Sequence, residues 1–357
     1  MNKKIIFTAG GTGGHIFPAI TLMKNFSEKG YEVLLVTDSR GKNFIKNYSE
    51  LKFFVIKTAT LTNKNLIKKI FSIFVILYSM IGVAHILRKE KPDLVFGFGG
   101  YVSFPISFVS KFFNIPLVIY ENNMIFGRAN KYLAKLARKI FISREITDKF
   151  FQKYKNKIFE VGPILSKKII NYSEKQKNKD IFSILVMGGS QGAKIFGKIV
   201  PDVIKSLNDE VEKIQIYQQC VKGQQEEISN FYKKNNIKNY VFEFDKNVLE
   251  LILSSDLAIT RCGASSTAEL TQALTPFIAI PLPDSIDNHQ YLNAKYYEDK
   301  ECCWIMEQKN FNTENLFNLI KEIVKNKNKL ENIRQNMKKI CSKNVYNDIE
   351  NKIKELI

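Results

Sequence analysis

The sequence predicts an α/β protein built from two Rossmann-like, doubly wound domains facing across a cleft. Three observations carry the prediction. Glycine-rich loops follow short apolar runs at two places about half a chain apart, Gly10–His15 after Lys3–Ala9 and Gly188–Gly192 after Phe182–Met187. Strand-like runs alternate with helical patterns through both halves. The 357 residues, 45% hydrophobic and 25% charged, exceed what one core usually serves, so two globular domains of ordinary size are expected.

The first 40 residues read as a βαβ unit: strand, glycine loop, a helix over Phe17–Glu28 stopped by Gly30, and a strand at Glu32–Thr37. Further strands are predicted at Phe53–Ile56, Leu94–Phe98, Leu117–Tyr120, Lys139–Ile142 and Ile158–Val161. Gly162-Pro163 then breaks the pattern, and the Lys/Asn/Ser-rich stretch Ser166–Asp180 reads as a connector. Strands resume at Phe182–Met187, Lys213–Gln218, Tyr240–Phe244, Leu257–Thr260 and Pro276–Ile280. The expected domains are therefore residues 1–163 and 164–340, with helical composition from about Asn312 to Ile357.

A net charge of +19, from 54 basic and 35 acidic residues, favours a phosphate-rich partner: nucleic acid, nucleotide or anionic lipid. A general lysine bias accounts for it equally well. The lysines are scattered, with no basic arm, no RNA-recognition signature and no zinc-finger spacing, which argues against nucleic acid. Five cysteines without a C-x-x-C fit neither a disulfide framework nor a zinc site and point to a reducing compartment. The apolar run at the N-terminus ends at Ala9 in the glycine loop, so it does not read as a signal peptide.

Ile70–Leu87 is apolar nearly all round and flanked by Lys68-Lys69 and Arg88-Lys89. As a helix it would be about 27 Å long, marginal for a bilayer core, and spanning would separate the first three strands from Leu94–Phe98. The expectation is a helix whose Ile73, Leu77, Met80 and Ala84 cover the sheet while Phe71, Phe74, Val75 and Tyr78 meet an anionic membrane surface. Burial of that second face by the same domain or by a second copy explains the residues as well.

The first glycine loop puts Ile16 where a dinucleotide fingerprint needs its last glycine, although Asp38 at the end of the second strand mimics a ribose-binding acid. His15 at the loop mouth suits a general base near neutral pH, or simply a capping or packing histidine. In the second half, Arg261–Glu269 follows a strand and opens a helix, a third candidate anion pocket, with Glu269 placed to accept two ribose hydroxyls. Pro281–Gln290 is a rigid polar loop suited to a sugar. There is no D-x-D and no Walker lysine, so neither a metal-bridged diphosphate nor an NTPase is indicated; loop amides and helix dipoles would neutralise a leaving group.

Taken together, GGTGGHIFPAI at 10–20, GFGGYVSFP at 97–105, ENN at 121–123, GGSQGAK at 188–194, RCGASSTAEL at 261–270 and DNHQYLNA at 287–294 resemble the MurG family of bacterial peptidoglycan glycosyltransferases. The resemblance implies the GT-B architecture, with residues 341–357 as a helix crossing back to the first domain, and no cofactor or metal. It implies UDP-N-acetylglucosamine as donor, lipid I as acceptor, and inverting transfer to the 4-hydroxyl of MurNAc, giving lipid II and UDP at the cytoplasmic face of the inner membrane. Cell-wall synthesis and division proteins are implied partners. Ser190 and Gln191 would lie near the diphosphate, the backbone around Phe244 near the uracil, Ala264, Ser265, Ser266 and Thr267 around the nucleotide, Glu269 on the ribose and Gln290 on the sugar. Thr12, Gly13, Gly14 and Asn123 would close over the sugar, and His15, Tyr101 and Glu121 would line the acceptor side, with His15 or Glu121 as base.

Three positions depart from the family pattern. Gly162-Pro163-Ile164-Leu165-Ser166 lacks the arginine expected at the junction, leaving Lys167 and Lys168 as neighbouring cations; Gly197 replaces an asparagine; and Gln218-Gln219 replaces a His-Gln pair. A related transferase acting on another lipid such as diacylglycerol would keep the donor loops without needing the GGTGGH and GGYVSFP combination. A basic, non-catalytic membrane or nucleic-acid binder would leave His15 and Glu269 without a purpose.

Overall fold

A computed structural model describes the chain apart from residues 1, 46–47, 49, 61–64, 147–151, 172–180, 190–191, 212 and 343. Two compact units result: Met1–Ile164 together with Asn344–Ile357, and Leu165–Lys343.

The first unit holds strands β1 (Lys4–Thr8), β2 (Glu32–Thr37), β3 (Phe53–Val55), β4 (Leu94–Gly97), β5 (Leu117–Glu121), β6 (Lys139–Ile142) and β7 (Ile158–Glu160). Its helices are α1 (Gly13–Glu28), α2 (Ser39–Ile45), α3 (Leu66–Glu90), α4 (Gly100–Val109) and α5 (Arg128–Leu133). The sheet is parallel in the order β3-β2-β1-β4-β5-β6-β7, so the winding reverses between β1 and β4. Both faces are covered, which is why β1, β4 and β5 are almost wholly apolar, with Phe7 stacked on Phe96 at 5.6 Å.

The second unit repeats the plan. It starts with α6 (Lys167–Ile170), β8 (Phe182–Met187), α7 (Lys194–Glu210), β9 (Ile214–Gln219), α8 (Gln225–Lys234), β10 (Lys238–Phe242) and α9 (Val248–Ser254). Then follow β11 (Leu257–Thr260), α10 (Ala264–Gln272), β12 (Phe277–Ala279), α11 (His289–Glu298), β13 (Cys303–Ile305), α12 (Thr313–Lys325) and α13 (Lys327–Ile340). Its parallel sheet runs β10-β9-β8-β11-β12-β13 and reverses between β8 and β11.

The last helix, α14 (Val345–Lys354), belongs to the first unit. Val345, Ile349 and Ile353 are buried in the same cluster as Phe7 and Phe26, worth about 2 kcal/mol each. Lys29 pairs with Glu350, and Lys139 with Glu355 just beyond the helix.

Local differences from the sequence expectations have simple causes. α1 takes in Gly13–Ile16, so the end of the glycine loop is already the first helical turn. β13 is three residues long, too short to show a period. On α3, Ser72, Ser79, Val83, Ile86 and Leu87 are buried, whereas Ile73 and Leu77, expected to face the sheet, are about half exposed.

Candidate active site

In doubly wound sheets ligands bind beyond the carboxyl ends of the strands at the point where the winding reverses. In the first unit the loops at that point follow β1 and β4. They open α1 after Thr12 and α4 after Gly99, and neither helix start has a side-chain cap, leaving N-terminal amides and a positive dipole end for an anion. Gly11, Gly99 and Gly100 have φ of +82°, +81° and +73°, which only glycine adopts readily. The two loops touch: a Cβ on Gly100 would lie 3.1 Å from the Gly10 carbonyl and 3.4 Å from Cδ2 of His15. His15 is half-buried against the bare backbone of the second loop, while Thr12 and Gly14 are exposed and Gly13 is buried.

Glu121, at the end of β5, is buried and its carboxylate is fully engaged. Oε1 accepts from the Asn123 backbone N–H at 3.1 Å and Nδ2 at 3.0 Å; Oε2 accepts from the Gly127 N–H at 2.8 Å and Asn130 Nδ2 at 3.0 Å. Asn130, which the sequence reading missed, also abuts Gly99 and donates to the Tyr120 carbonyl, joining this network to the second loop. The Tyr101 hydroxyl donates to Asp38, and burial with that carboxylate pushes its pKa up to about 12, so it stays protonated. Asp38 itself is buried and bonded within the protein, unlike the ribose-binding acid whose place in the chain it mimics.

In the second unit the corresponding loops follow β8 and β11. Ser190 and Gln191 lie outside the described residues. Gly188 donates its N–H to Gln219 Oε1, and Gln219 Nε2 donates to the carbonyl of Glu243, beside the exposed Phe244. After β11, Gly263 opens α10 without a side-chain cap, with Ala264, Ser265 and Ser266 in its first turn; the Thr267 hydroxyl turns back to the Gly263 and Ala264 carbonyls. One turn on, the Glu269 carboxylate makes no hydrogen bond or ion pair among the described residues, and desolvation pushes its pKa up to about 7.

Gln290 ties the Pro281–Gln290 loop to the chain after β11. Its Oε1 accepts from the N–H groups of Cys262 at 3.1 Å and Leu282 at 3.0 Å, so only its Nε2 protons remain for a ligand. Asp287 and Asn288 just before it are both left-handed, backbone strain of the kind stored at ligand loops. Arg261 is buried, donating to the carbonyls of Ile280 and Pro281 and to Gln308. Burial keeps the Cys262 thiol protonated.

Two of the three departures from the family pattern now have local accounts. The amide of Gln224 occupies the space above Gly197, where a Cβ would meet its Oε1 at 2.7 Å. Gln218 is a core link between the Tyr232 hydroxyl and the Phe196 carbonyl. At the junction, Lys168 pairs with Glu250.

Two parallel doubly wound units, each with helices opening at its reversal point, have the GT-B architecture of glycosyltransferases. Residues 5–142 match the glycosyltransferase family 28 N-terminal domain, and residues 183–352 the glycosyltransferase family 28 C-terminal domain. The chain is 37% identical over its full length, and 99% of the relative's, to the UDP-N-acetylglucosamine--N-acetylmuramyl-(pentapeptide) pyrophosphoryl-undecaprenol N-acetylglucosamine transferase of Pelagibacter ubique (strain HTCC1062). It is 37% identical to the same-named protein of Rickettsia bellii (strain RML369-C), over 99% of this chain and 100% of that one. The crystal structure of Acinetobacter baumannii MurG matches with a TM-score of 0.80 at 25% identity, covering 99% of both chains. The chain belongs to glycosyltransferase family 28 and, within it, to the MurG family.

Proposed function

We propose that this chain transfers N-acetylglucosamine from UDP-N-acetylglucosamine to the 4-hydroxyl of MurNAc in undecaprenyl-pyrophosphoryl-MurNAc-pentapeptide, forming lipid II and UDP. The observation that supports it most is that uncapped helix starts stand at both reversal points, α1 and α4 in the first unit and α7 and α10 in the second, matching two substrates that each carry a diphosphate. In the second unit α10 and the Gly188 loop take the donor, with Glu269 on the ribose, the backbone at Phe244 on the base and Gln290 Nε2 donating to the sugar.

Transfer proceeds as one displacement. The acceptor oxygen forms its bond to the anomeric carbon as the bond to the diphosphate breaks, UDP leaves with the electron pair, and the hydroxyl proton passes to His15. His15 is favoured over Glu121 because four N–H donors already occupy that carboxylate, and over Tyr101 because its hydroxyl is committed to Asp38. The same occupancy leaves Glu121 unsuited to attack the sugar, which supports inversion. Helix amides stabilise the leaving diphosphate, a metal-independent arrangement consistent with a sequence lacking D-x-D.

The acceptor is lipid-anchored, and α3 supplies the membrane face. Phe71, Phe74 and Tyr78 are 64–71% exposed and Val75 is half-buried, with Lys68, Lys69, Arg88 and Lys89 flanking. α3 is long and apolar enough to cross a membrane. It also connects β3 to β4 of one sheet, which favours lying on the cytoplasmic surface over crossing it.

The test is UDP release from UDP-N-acetylglucosamine with a short-chain lipid I analogue, with EDTA present, for wild type and His15→Ala. Acceptor-dependent turnover that survives chelation and falls about 100-fold or more in the variant is expected. No turnover with this acceptor, but turnover with diacylglycerol, would overturn the acceptor assignment.

A further inference from the structure

Asp38 ends β2, where a dinucleotide-binding domain would aim a carboxylate at a ribose, yet here every contact of that carboxylate is internal. Oδ1 accepts from the Gly41 N–H at 2.8 Å, capping α2, and from the Gly11 N–H at 3.3 Å in the first glycine loop; Oδ2 accepts from the Tyr101 hydroxyl in the first turn of α4. The ring of Tyr101 covers Gly11, where a Cβ would lie 3.1 Å from its Cε1. Gly10 and Gly41 give the carboxylate its room, since a Cβ on either would come within 2.9 or 3.1 Å of Oδ1.

We propose that Asp38 is a positioning residue that locks the two glycine loops of the first unit together, so that the starts of α1 and α4 face the acceptor's diphosphate as one rigid surface. This rests on the reading above that the first unit takes the acceptor. A carboxylate suits the task because its oxygens accept, and all three facing groups only need an acceptor; an amide would turn two donors toward one of them. Without the lock, two loops free to separate must be ordered by the substrate itself, which weakens its binding.

The test compares wild type, Asp38→Asn, Asp38→Ala, Tyr101→Phe and the Asp38→Ala/Tyr101→Phe double variant. Two readouts are used: KM for the short-chain acceptor against KM for UDP-N-acetylglucosamine, and amide hydrogen exchange of residues 10–15 and 97–105. Asp38→Ala is expected to raise the acceptor KM about 10-fold or more with donor KM within about twofold, Asp38→Asn to rescue part of it, and exchange to speed up in both segments. The double variant should be no worse than Asp38→Ala alone, because the two residues act through one bond. Additive losses would mean that the Tyr101 hydroxyl meets the substrate directly, and would overturn the proposal, as would equal changes in both KM values or unchanged exchange. Since Asp38 also caps α2, Tyr101→Phe, which removes one bond only, carries the test if Asp38→Ala does not fold. Wild type inactive on this acceptor would refute the functional reading, while the exchange data would still decide the lock.

Discussion

The side chain of Gln219 accepts from the Gly188 N–H at 3.0 Å and donates to the Glu243 carbonyl at 3.2 Å, tying the loop after β8 to the chain that leads into Phe244. One amide thus sets the spacing between the proposed diphosphate and uracil contacts. Gln219→Ala should raise the donor KM about 10-fold, the worth of one or two hydrogen bonds, and leave the acceptor KM unchanged. Steady-state kinetics with each substrate varied in turn will show it; an effect confined to kcat would count against this role.

Glu269 titrates near neutrality because its surroundings desolvate the carboxylate, and no ion pair among the described residues offsets the loss. Two ribose hydroxyls are best accepted by the ionised form, which predominates above about pH 7. Donor affinity should therefore rise as pH increases through about 7 and level off beyond it, and Glu269→Gln should give a weaker, flat profile. Titration calorimetry with UDP-N-acetylglucosamine, whose diphosphate has no group titrating between pH 5.5 and 8.5, reads this directly. The same raised pKa makes the unliganded fold less stable as pH rises from 4.5 towards 7, since the unfolded chain ionises first.

Phe71, Phe74 and Tyr78 are exposed, so replacing all three by serine should leave the fold intact. The triple variant is expected to stay in the supernatant when wild type sediments with phosphatidylglycerol-rich vesicles, and to retain turnover of a water-soluble acceptor. Co-sedimentation equal to wild type would refute the membrane role of α3.

Ile349 is fully buried with Phe7 and Phe26, and Ile349→Ala should destabilise the first unit by about 2–4 kcal/mol. Chemical denaturation is the measurement. UDP binding by the second unit should persist after the first has unfolded.

The strands and glycine loops were legible because they rest on short-range patterns: apolar runs such as Phe182–Met187, then residues that tolerate positive φ, such as Gly189 and Gly192. The phase of α3 was not legible, because a helix apolar all round carries no periodic signal; Ser72 and Ser79 turned inward while Ile73 and Leu77 did not. Nor does a sequence show which lone pairs are occupied. Glu121 and Glu269 look alike as letters, yet four N–H donors hold the first and none among the described residues meets the second, a difference made by Asn130 and Gly127 folding back onto β5.

The placement of α14 has a consequence for biosynthesis. Because Val345, Ile349 and Ile353 complete a core begun by β1 and α1, the second unit is an insertion in the first. On the ribosome the earlier unit must wait, its apolar groove open, while residues 165–343 are made, a delay on the order of 10 s or more at ordinary elongation rates. The unit emerging last can thus finish folding before the first is sealed, and a chain cut short anywhere in the second unit leaves the first without its closing helix, a ready substrate for quality-control proteases.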